Sequence, residues 1–243
     1  MRKSSVILLF CSMSMLAVSH AQAGITLGAT RVIFDAQNKE ENLTVRNDGH
    51  NPILLQSWLD GGEGKESVPF AVTPPLTKMG IKGQQLLRIL YKGGGLPEDR
   101  ESVVWLNVQE IPSQSERQNT LQIAVRQRIK VFYRPANLQG SAQEAASSLQ
   151  WSLEPGGKSI SVINPSAYHV SMVQIRTGEG QDGLARDRQM LAPKERLIIP
   201  LGKSLSATSV NLSFRSINDW GGQETYRATL QSTGSAQATR TTE

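Results

Sequence analysis

The sequence predicts an all-β protein that contains two β-sandwich domains. Short stretches of alternating apolar and polar residues recur along the chain, and clusters of Gly, Pro, Asn and Asp lie between them. No stretch keeps a helical period. Residues 24–243, which follow a predicted leader peptide, are enough for two domains of about 100 residues each. This combination is typical of a pair of β-sandwiches.

The predicted strands fall into two groups. The first group comprises Thr30–Asp35, Leu43–Asn47, Ile53–Leu59, Leu86–Tyr91, Val103–Val108 and Leu121–Tyr133. The second group comprises Leu149–Leu153, Ser159–Ile163, His169–Arg176, Arg196–Pro200, Val210–Ile217 and Glu224–Leu230. Residues 136–148, rich in Ala, Ser, Gly and Gln, separate the groups, so we place the domains at 24–142 and 143–231. Residues 232–243 lack large apolar side chains, and we expect a disordered tail there.

Residues 1–23 have the layout of a secretory signal peptide. Two basic residues precede the apolar run Val6–Val18, which is too short to span a bilayer with these flanks. The small residues of Ala21-Gln22-Ala23 favour cleavage after Ala23. Cys11 is the single cysteine and lies inside this leader, so the mature chain would enter an oxidising compartment without disulfides.

Charge and hydropathy exclude several classes of protein. The formal net charge is +5, and it falls to +3 without Arg2 and Lys3 because residues 1–23 carry no acidic group. So mild a charge does not indicate a nucleic-acid-binding protein. No segment after the leader is long and apolar enough to insert into a membrane. We therefore expect an exported soluble protein.

One stretch matches a nucleotide-binding motif by its letters alone. Residues 178–183 read GEGQDG, which fits GxGxxG. The phosphate-binding form of this motif needs a helix directly after it, and residues 184–193 show no helical period. We interpret the stretch as a hairpin loop.

No catalytic or metal-binding pattern is present. After processing, the only histidines are His50 and His169, and no cysteine remains, so His/Cys metal-ligand spacing is missing. Both histidines are interpreted as surface or sheet residues. No nucleophile elbow or persuasive Ser–His pair occurs. The sequence therefore predicts a protein that is not an enzyme and has no cofactor.

The most informative segment is the predicted long strand Leu121–Tyr133. At about 3.3 Å per residue it would span roughly 43 Å, whereas a common strand has about 5–6 residues. Leu121, Ile123 and Val125 form an apolar row on one face. Such a strand is either an ordinary core strand or an open edge on which another chain adds a strand.

Lys130 lies deep in this strand and has the opposite parity to the apolar row. A flat strand would place it on the other face. Either the strand contains a bulge or a strong twist, or Lys130 serves a different surface near the domain junction.

Several blocks of sequence, in order, resemble the PapD-like periplasmic chaperones of the chaperone–usher pathway, which escort pilus subunits. The blocks are Gly24–Phe34, Leu96–Ser102, Trp105–Val108 with Ile111-Pro112, Ile129–Pro135, Asn164-Pro165 and Ile217–Gly222. Together they run through nearly all of the mature chain. The short connection Ile111–Thr120 resembles the subfamily with a short loop before the long strand.

The resemblance implies two immunoglobulin-like domains in a boomerang arrangement. It implies that Leu121, Ile123 and Val125 belong to a strand lent to a subunit. It further implies that Arg31 and Lys130 hold the subunit's terminal carboxylate. The resemblance also implies a buried charged set that fixes the two domains relative to each other. Its members are Glu101, Arg134 and Asp219.

The partners that the resemblance implies are pilus subunits and an outer-membrane usher, in the periplasm. We expect the free chaperone to be a monomer or to self-associate weakly. The alternative from another class is a secreted two-domain structural or adhesive β-sandwich protein. An exported hydrolase is a third hypothesis, but the chain lacks a nucleophile–base pair.

Overall fold

The computed structural model describes residues 24–62, 67–113, 121–178, 184–202 and 209–241. The predicted signal peptide, residues 1–23, lies outside these ranges, as do residues 114–120 of the predicted short loop. The described chain forms two β-sandwiches and one short helix, which confirms the all-β fold class.

The first domain contains strands β1 to β9. Their bounds are β1 Ile25–Leu27, β2 Arg31–Asp35, β3 Glu40–Asn47, β4 Ile53–Asp60, β5 Phe70–Thr73, β6 Leu76–Met79, β7 Gln84–Tyr91, β8 Ser102–Pro112 and β9 Arg126–Arg134. One sheet has the order β1-β3-β7-β5 and the other the order β2-β9-β8-β4-β6. The pair β2–β9 is parallel, and the other pairs recorded in this domain are antiparallel.

The second domain contains helix α1 and strands β10 to β18. Their bounds are α1 Ala142–Ser148, β10 Gln150–Leu153, β11 Ser159–Ile163, β12 Val170–Thr177, β13 Leu184–Leu191, β14 Arg196–Pro200, β15 Ser209–Ile217, β16 Gln223–Gln231, β17 Ala236–Gln237 and β18 Thr239–Thr241. The sheets have the orders β14-β11-β10-β17 and β13-β12-β15-β16-β18. Antiparallel β12 and β13 flank the GxGxxG stretch, whose residues 179–183 lie outside the described residues.

Each domain has its own apolar core. Alternate residues of the strands point inward, as Val32 and Phe34 do in β2 and Phe214 does in β15. The rings of Phe34, Phe70, Tyr91 and Tyr133 pack together in the first core, with centroid distances from 4.4 to 6.3 Å. Separate cores on one chain mean that the relative placement of the domains depends on the contacts between them.

Helix α1 was not predicted, because its seven residues are too few to show a helical period. Ser141 begins it as a capping residue. The Ser141 hydroxyl accepts a hydrogen bond from the Glu144 backbone N–H at 3.3 Å and donates to the Glu144 carboxylate at 3.1 Å. Ala145 and Ala146 are buried against the second core. The helix therefore packs its alanine face against the second core.

The predicted long strand is shorter than expected. Strand β9 begins at Arg126, and residues 121–125 have no ladder partner, although the Glu110 N–H donates to the Val125 carbonyl at 3.0 Å. A strand forms a ladder only where a neighbouring strand is available. A segment at an open edge can therefore show the apolar–polar alternation of a strand without being one. The expectation of a strand over Leu121–Tyr133 is thus wrong for its first five residues.

The expectation of a disordered tail is also wrong for the described part of residues 232–243. Strand β17 pairs with β10, and β18 pairs with β16. Ala238, between the two, is 2% exposed and belongs to the second core. Its small side chain gives no hydrophobic signal in the sequence, and only tertiary pairing orders this segment.

This correction yields a first prediction. The substitution Ala238→Glu should lower the melting temperature by several degrees, because it forces a carboxylate without a partner into an apolar core. Gln237→Glu is the matched control. Gln237 is next to Ala238 in the sequence but exposed, so this variant places the same charge in solvent. Equal melting temperatures of the two variants by circular dichroism would contradict an ordered tail.

Candidate functional site

Arg134, at the end of β9, joins the two domains. Its Nε donates to Glu101 Oε1 at 2.8 Å, and its two terminal nitrogens donate to the two oxygens of Asp219 at 2.7 Å each. Glu101 precedes β8 in the first domain, whereas Asp219 follows β15 in the second. A planar guanidinium can bind two carboxylates in this forked way, and a lysine ammonium could not. The structure therefore brings all three residues of the expected charged set into contact.

The charged set has a fourth member, His169, that the sequence interpretation missed. The His169 backbone N–H donates to Glu101 Oε2 at 2.7 Å, and His169 Nδ1 lies 2.9 Å from the same oxygen. The His169 side chain is 6% exposed and the residue lies just before β12, so its interpretation as a surface or sheet residue is wrong. His50 is exposed, as expected. Nothing in local periodicity marks His169, because its partner lies 68 residues away along the chain.

The two carboxylates beside Arg134 favour the charged form of its guanidinium. Burial lowers the pKa of Arg134, but the hydrogen bonds and negative charges of Asp219 and Glu101 outweigh burial and raise the pKa overall. Glu101 is 2% exposed, so its carboxylate depends on Arg134 and His169 for compensation. We call these four residues, Glu101, Arg134, His169 and Asp219, the junction cluster.

Arg31 and Lys130 lie side by side at the same junction. They are register partners in the parallel β2–β9 pair. The β8–β9 register runs without a shift from Ser102–Tyr133 to Gln109–Arg126, so β9 contains no bulge that turns Lys130. Val131 and Tyr133 point into the first core, and Lys130 points to the opposite face. Of the two alternatives for its parity, the structure shows the second, a separate surface at the domain junction.

Both cations reach across to the second domain. Arg31 Nη1 donates to the Ile217 carbonyl at 3.2 Å, and Lys130 Nζ lies 3.4 Å from Ser171 Oγ. Arg31 Nε is buried without a hydrogen-bond acceptor in the described part of the chain. Burial lowers the pKa of Arg31, with partial compensation by the negative charges of the junction cluster. Burial, then the charge of Arg31, lowers the pKa of Lys130.

Arg31 and Lys130 are therefore a candidate anion site. Neither makes a salt bridge with a carboxylate among the described residues, whereas Arg134 beside them makes two. Two adjacent positive charges repel each other in a partly buried setting. An anionic group between them would relieve that repulsion and accept their free hydrogen-bond donors.

An open strand edge begins next to this anion site. Strand β2 covers β9 only from Lys130 to Arg134, so residues 126–129 have no ladder partner on that side. The edge continues into residues 121–125, where Leu121, Ile123 and Val125 are 85, 68 and 44% exposed. We call residues 121–129 the open edge. Three large apolar side chains at alternate positions on an unpaired backbone are unusual on the surface of a soluble domain.

The described residues contain no group of three or more His, Cys, Asp and Glu side chains suited to a metal ion. In the same part of the chain, no helix is long and apolar enough to cross a membrane. The features on this surface are a backbone edge, an apolar row and an anion site. They define a protein that binds another polypeptide chain.

Comparisons with known proteins agree with this class. Residues 24–139 match the family model for the N-terminal domain of PapD, a pili and flagellar-assembly chaperone, and residues 144–228 match the model for its C-terminal domain. The chain belongs to the PapD-like family of periplasmic pilus-assembly chaperones, which are not enzymes.

Relatives and solved structures extend the match over most of the chain. The probable fimbrial chaperone LpfB of Escherichia coli O157:H7 is 40% identical over 217 residues, covering 88% of this chain and 89% of the relative. The crystal structure of the YadV chaperone, 36% identical, superposes with a TM-score of 0.73 and covers 86% of this chain and all of that chain. A structure of the Salmonella enterica SafA pilin in complex with the SafB chaperone also matches. The identity is 26% and the TM-score is 0.73, and the match covers 87% of this chain and 99% of that chain.

The junction cluster yields a second prediction. Arg134→Ala should destabilise the protein by about 3–5 kcal/mol, because it leaves the buried Glu101 carboxylate without its cation. Chemical denaturation measures the loss, and small-angle scattering should show a changed distribution of interdomain distances. The matched control is Arg88→Ala, which removes an arginine from a more exposed pair with Glu40 and should have a much smaller effect. Identical denaturation midpoints for the two variants would contradict the assigned role of the cluster.

Proposed function

We propose that this protein binds pilus subunits in the periplasm, keeps them soluble by lending them the open edge, and delivers them to an outer-membrane usher. The observation that carries this proposal is the exposure of Leu121, Ile123 and Val125, three apolar residues at alternate positions in a segment without a ladder partner. A subunit whose sheet lacks one strand exposes an apolar groove and an unpaired edge, and both promote aggregation. Addition of residues 121–129 would cover both at once.

The energetics of this addition have two parts. Hydrogen bonds between the open edge and the subunit backbone supply affinity that is independent of sequence. The apolar row supplies selectivity for a groove with matching pockets, and complete burial of one such side chain contributes about 1.5–3 kcal/mol. Neither part needs a cofactor or a nucleotide.

The anion site sets the direction and register of the added strand. A subunit's C-terminal carboxylate fits between Arg31 and Lys130, where arginine offers two donors and lysine a point charge. Since the carboxylate ends the subunit chain at the Lys130 end of the open edge, the subunit strand must run toward Lys130, parallel to β9. The apolar row alone would fit a groove equally well after a slip of two residues. A fixed chain end removes this ambiguity of register.

The relatives support this partner class. The SafB chaperone was solved together with a pilin. The LpfB relative, which aligns with most of this chain, is a probable fimbrial chaperone. We propose the usher and the periplasmic location because the family resemblance points to the chaperone–usher pathway. We propose a one-to-one complex with a subunit, because one chain offers one open edge.

The apolar row yields a third prediction. Ile123→Glu should leave the free protein folded, because the side chain is exposed, and should abolish recovery of a soluble subunit from the periplasm. Ala124→Glu is the control, since Ala124 is exposed in the same segment and has the opposite parity. Normal subunit yield with Ile123→Glu would refute the strand-donation proposal. Unfolding of that variant would instead indicate an ordinary core strand.

The anion site yields a fourth prediction. Lys130→Ala should weaken binding of a peptide that copies a subunit's C-terminal strand by about 10- to 100-fold, because a hydrogen bond to a charged group contributes about 1.5–3 kcal/mol. Arg31→Ala should act in the same direction. Isothermal titration calorimetry measures the affinity, and Arg126→Ala is the control because Arg126 is exposed at the other end of β9.

The same peptide with an amidated C-terminus makes this test specific for the carboxylate. The parent protein should prefer the free acid over the amide by about 10- to 100-fold. Lys130→Ala should lose most of that preference. If the variant discriminates acid from amide as well as the parent does, the carboxylate anchor is wrong.

A further inference from the structure

Glu110, near the end of β8, is a buried carboxylate that the proposed function does not use. The residue is 9% exposed, and its Oε2 atom is buried without a hydrogen-bond partner in the described ranges. Burial raises the pKa of the Glu110 carboxyl, and no described cation compensates it. A buried acceptor without a donor is destabilising, so its retention in the first domain needs an explanation.

The neighbour of this carboxylate is Gly24. A Cβ atom placed on Gly24 would lie 2.0 Å from Glu110 Oε2 and 2.5 Å from Oε1, so the carboxylate lies directly against the Gly24 backbone. On one Cα atom, a nitrogen and a Cβ are about 2.5 Å apart. The Gly24 nitrogen therefore lies within about 4.5 Å of Glu110 Oε2, which is close enough for an ion pair with slight adjustment.

Contacts within the first domain fix Gly24 in this place. Its carbonyl accepts hydrogen bonds from the backbone N–H groups of Asp48, at 2.9 Å, and Gly49, at 3.1 Å. The next residue, Ile25, begins β1 and accepts a hydrogen bond at its carbonyl from Gln127 Nε2 at 2.8 Å. The position of Gly24 thus depends on residues that remain after processing.

We propose that cleavage after Ala23 creates the cation that Glu110 lacks, the α-ammonium group of Gly24. Hydrolysis adds a hydroxyl to the Ala23 carbonyl carbon and a hydrogen to the Gly24 nitrogen. At neutral pH the new carboxyl group of Ala23 releases a proton and the new amine takes one up. The site is a receptor for the chain's own N-terminus, and it is complete only in the processed protein.

The change in donor geometry explains why the unprocessed chain leaves Glu110 unpaired. A peptide nitrogen has one hydrogen, held in the peptide plane, and the Gly24 amide hydrogen does not reach Glu110 Oε2. An ammonium group has three rotatable hydrogens and a full positive charge. The same nitrogen therefore becomes a suitable partner without any movement of β1 or β8.

The location connects processing with the open edge. The Glu110 backbone N–H donates to the Val125 carbonyl at 3.0 Å, and Gln127 holds Ile25. The Gly24–Glu110 pair thus lies beside residues 125–127, where the open edge meets β8. Only this consequence rests on the proposed function, and the ion pair itself can be tested without a subunit.

The test compares Glu110→Gln in two forms of the protein. One form begins at Gly24, and the other keeps Ala23 on an otherwise identical chain. In the form that begins at Gly24, Glu110→Gln should raise the unfolding equilibrium constant about tenfold or more, because it removes the anion of the pair. In the form with Ala23, it should have no effect or lower that constant, because a neutral amide replaces an uncompensated carboxylate. Glu98→Gln, at an exposed position, is the control for both forms.

A second measurement reports the pair directly. The pKa of the Gly24 amine, followed by NMR on a protein with a ¹³C-dimethylated N-terminus, should lie above the ordinary value of about 8, and Glu110→Gln should return it to that value. An equal change in stability in both forms, an amine pKa that Glu110→Gln does not alter, or a periplasmic chain that starts at a residue other than Gly24 would each overturn the proposal.

Discussion

The forked hydrogen bonds of Arg134 are the constraint on which the binding surface depends. The two domains have separate cores, and Arg134 connects a residue before β8 with a residue after β15. Arg31 and Lys130 make their remaining contacts to Ile217 and Ser171 in the second domain. A change in the domain angle would therefore alter the surroundings of both cations. The proposed anchor requires that the junction cluster hold the domains in one arrangement.

The open edge is a compromise between function and solubility. An unpaired strand with exposed leucine and isoleucine side chains is a site at which chains aggregate. Here the row is short, the same edge carries the exposed Arg126, and β2 covers the part of β9 nearest the junction. These features limit pairing between identical chains, whereas the proposed subunit would offer both a groove for the row and a carboxylate for the cations.

The sequence predicted the fold class because alternation with period two, broken by turn residues, is a local property. For Lys130 it left two alternatives open, a bulge or strong twist in the strand and a separate surface near the domain junction, and the unshifted β8–β9 register favours the second. The extent of β9, the strands near Ala238 and the role of His169 could not be predicted, because each depends on a partner distant in sequence. Glu101, Arg134 and Asp219 were identified only through the family resemblance, since 33 and 85 residues separate Arg134 from its two partners.

The most direct test of this account is the relative orientation of the domains in solution. Residual dipolar couplings of backbone amides report whether two domains tumble as one body. The account predicts that the couplings of both domains in the parent protein fit a single alignment tensor with the orientation seen here. Two tensors of clearly different magnitude, which indicate domains that move independently, would contradict a junction held by Arg134.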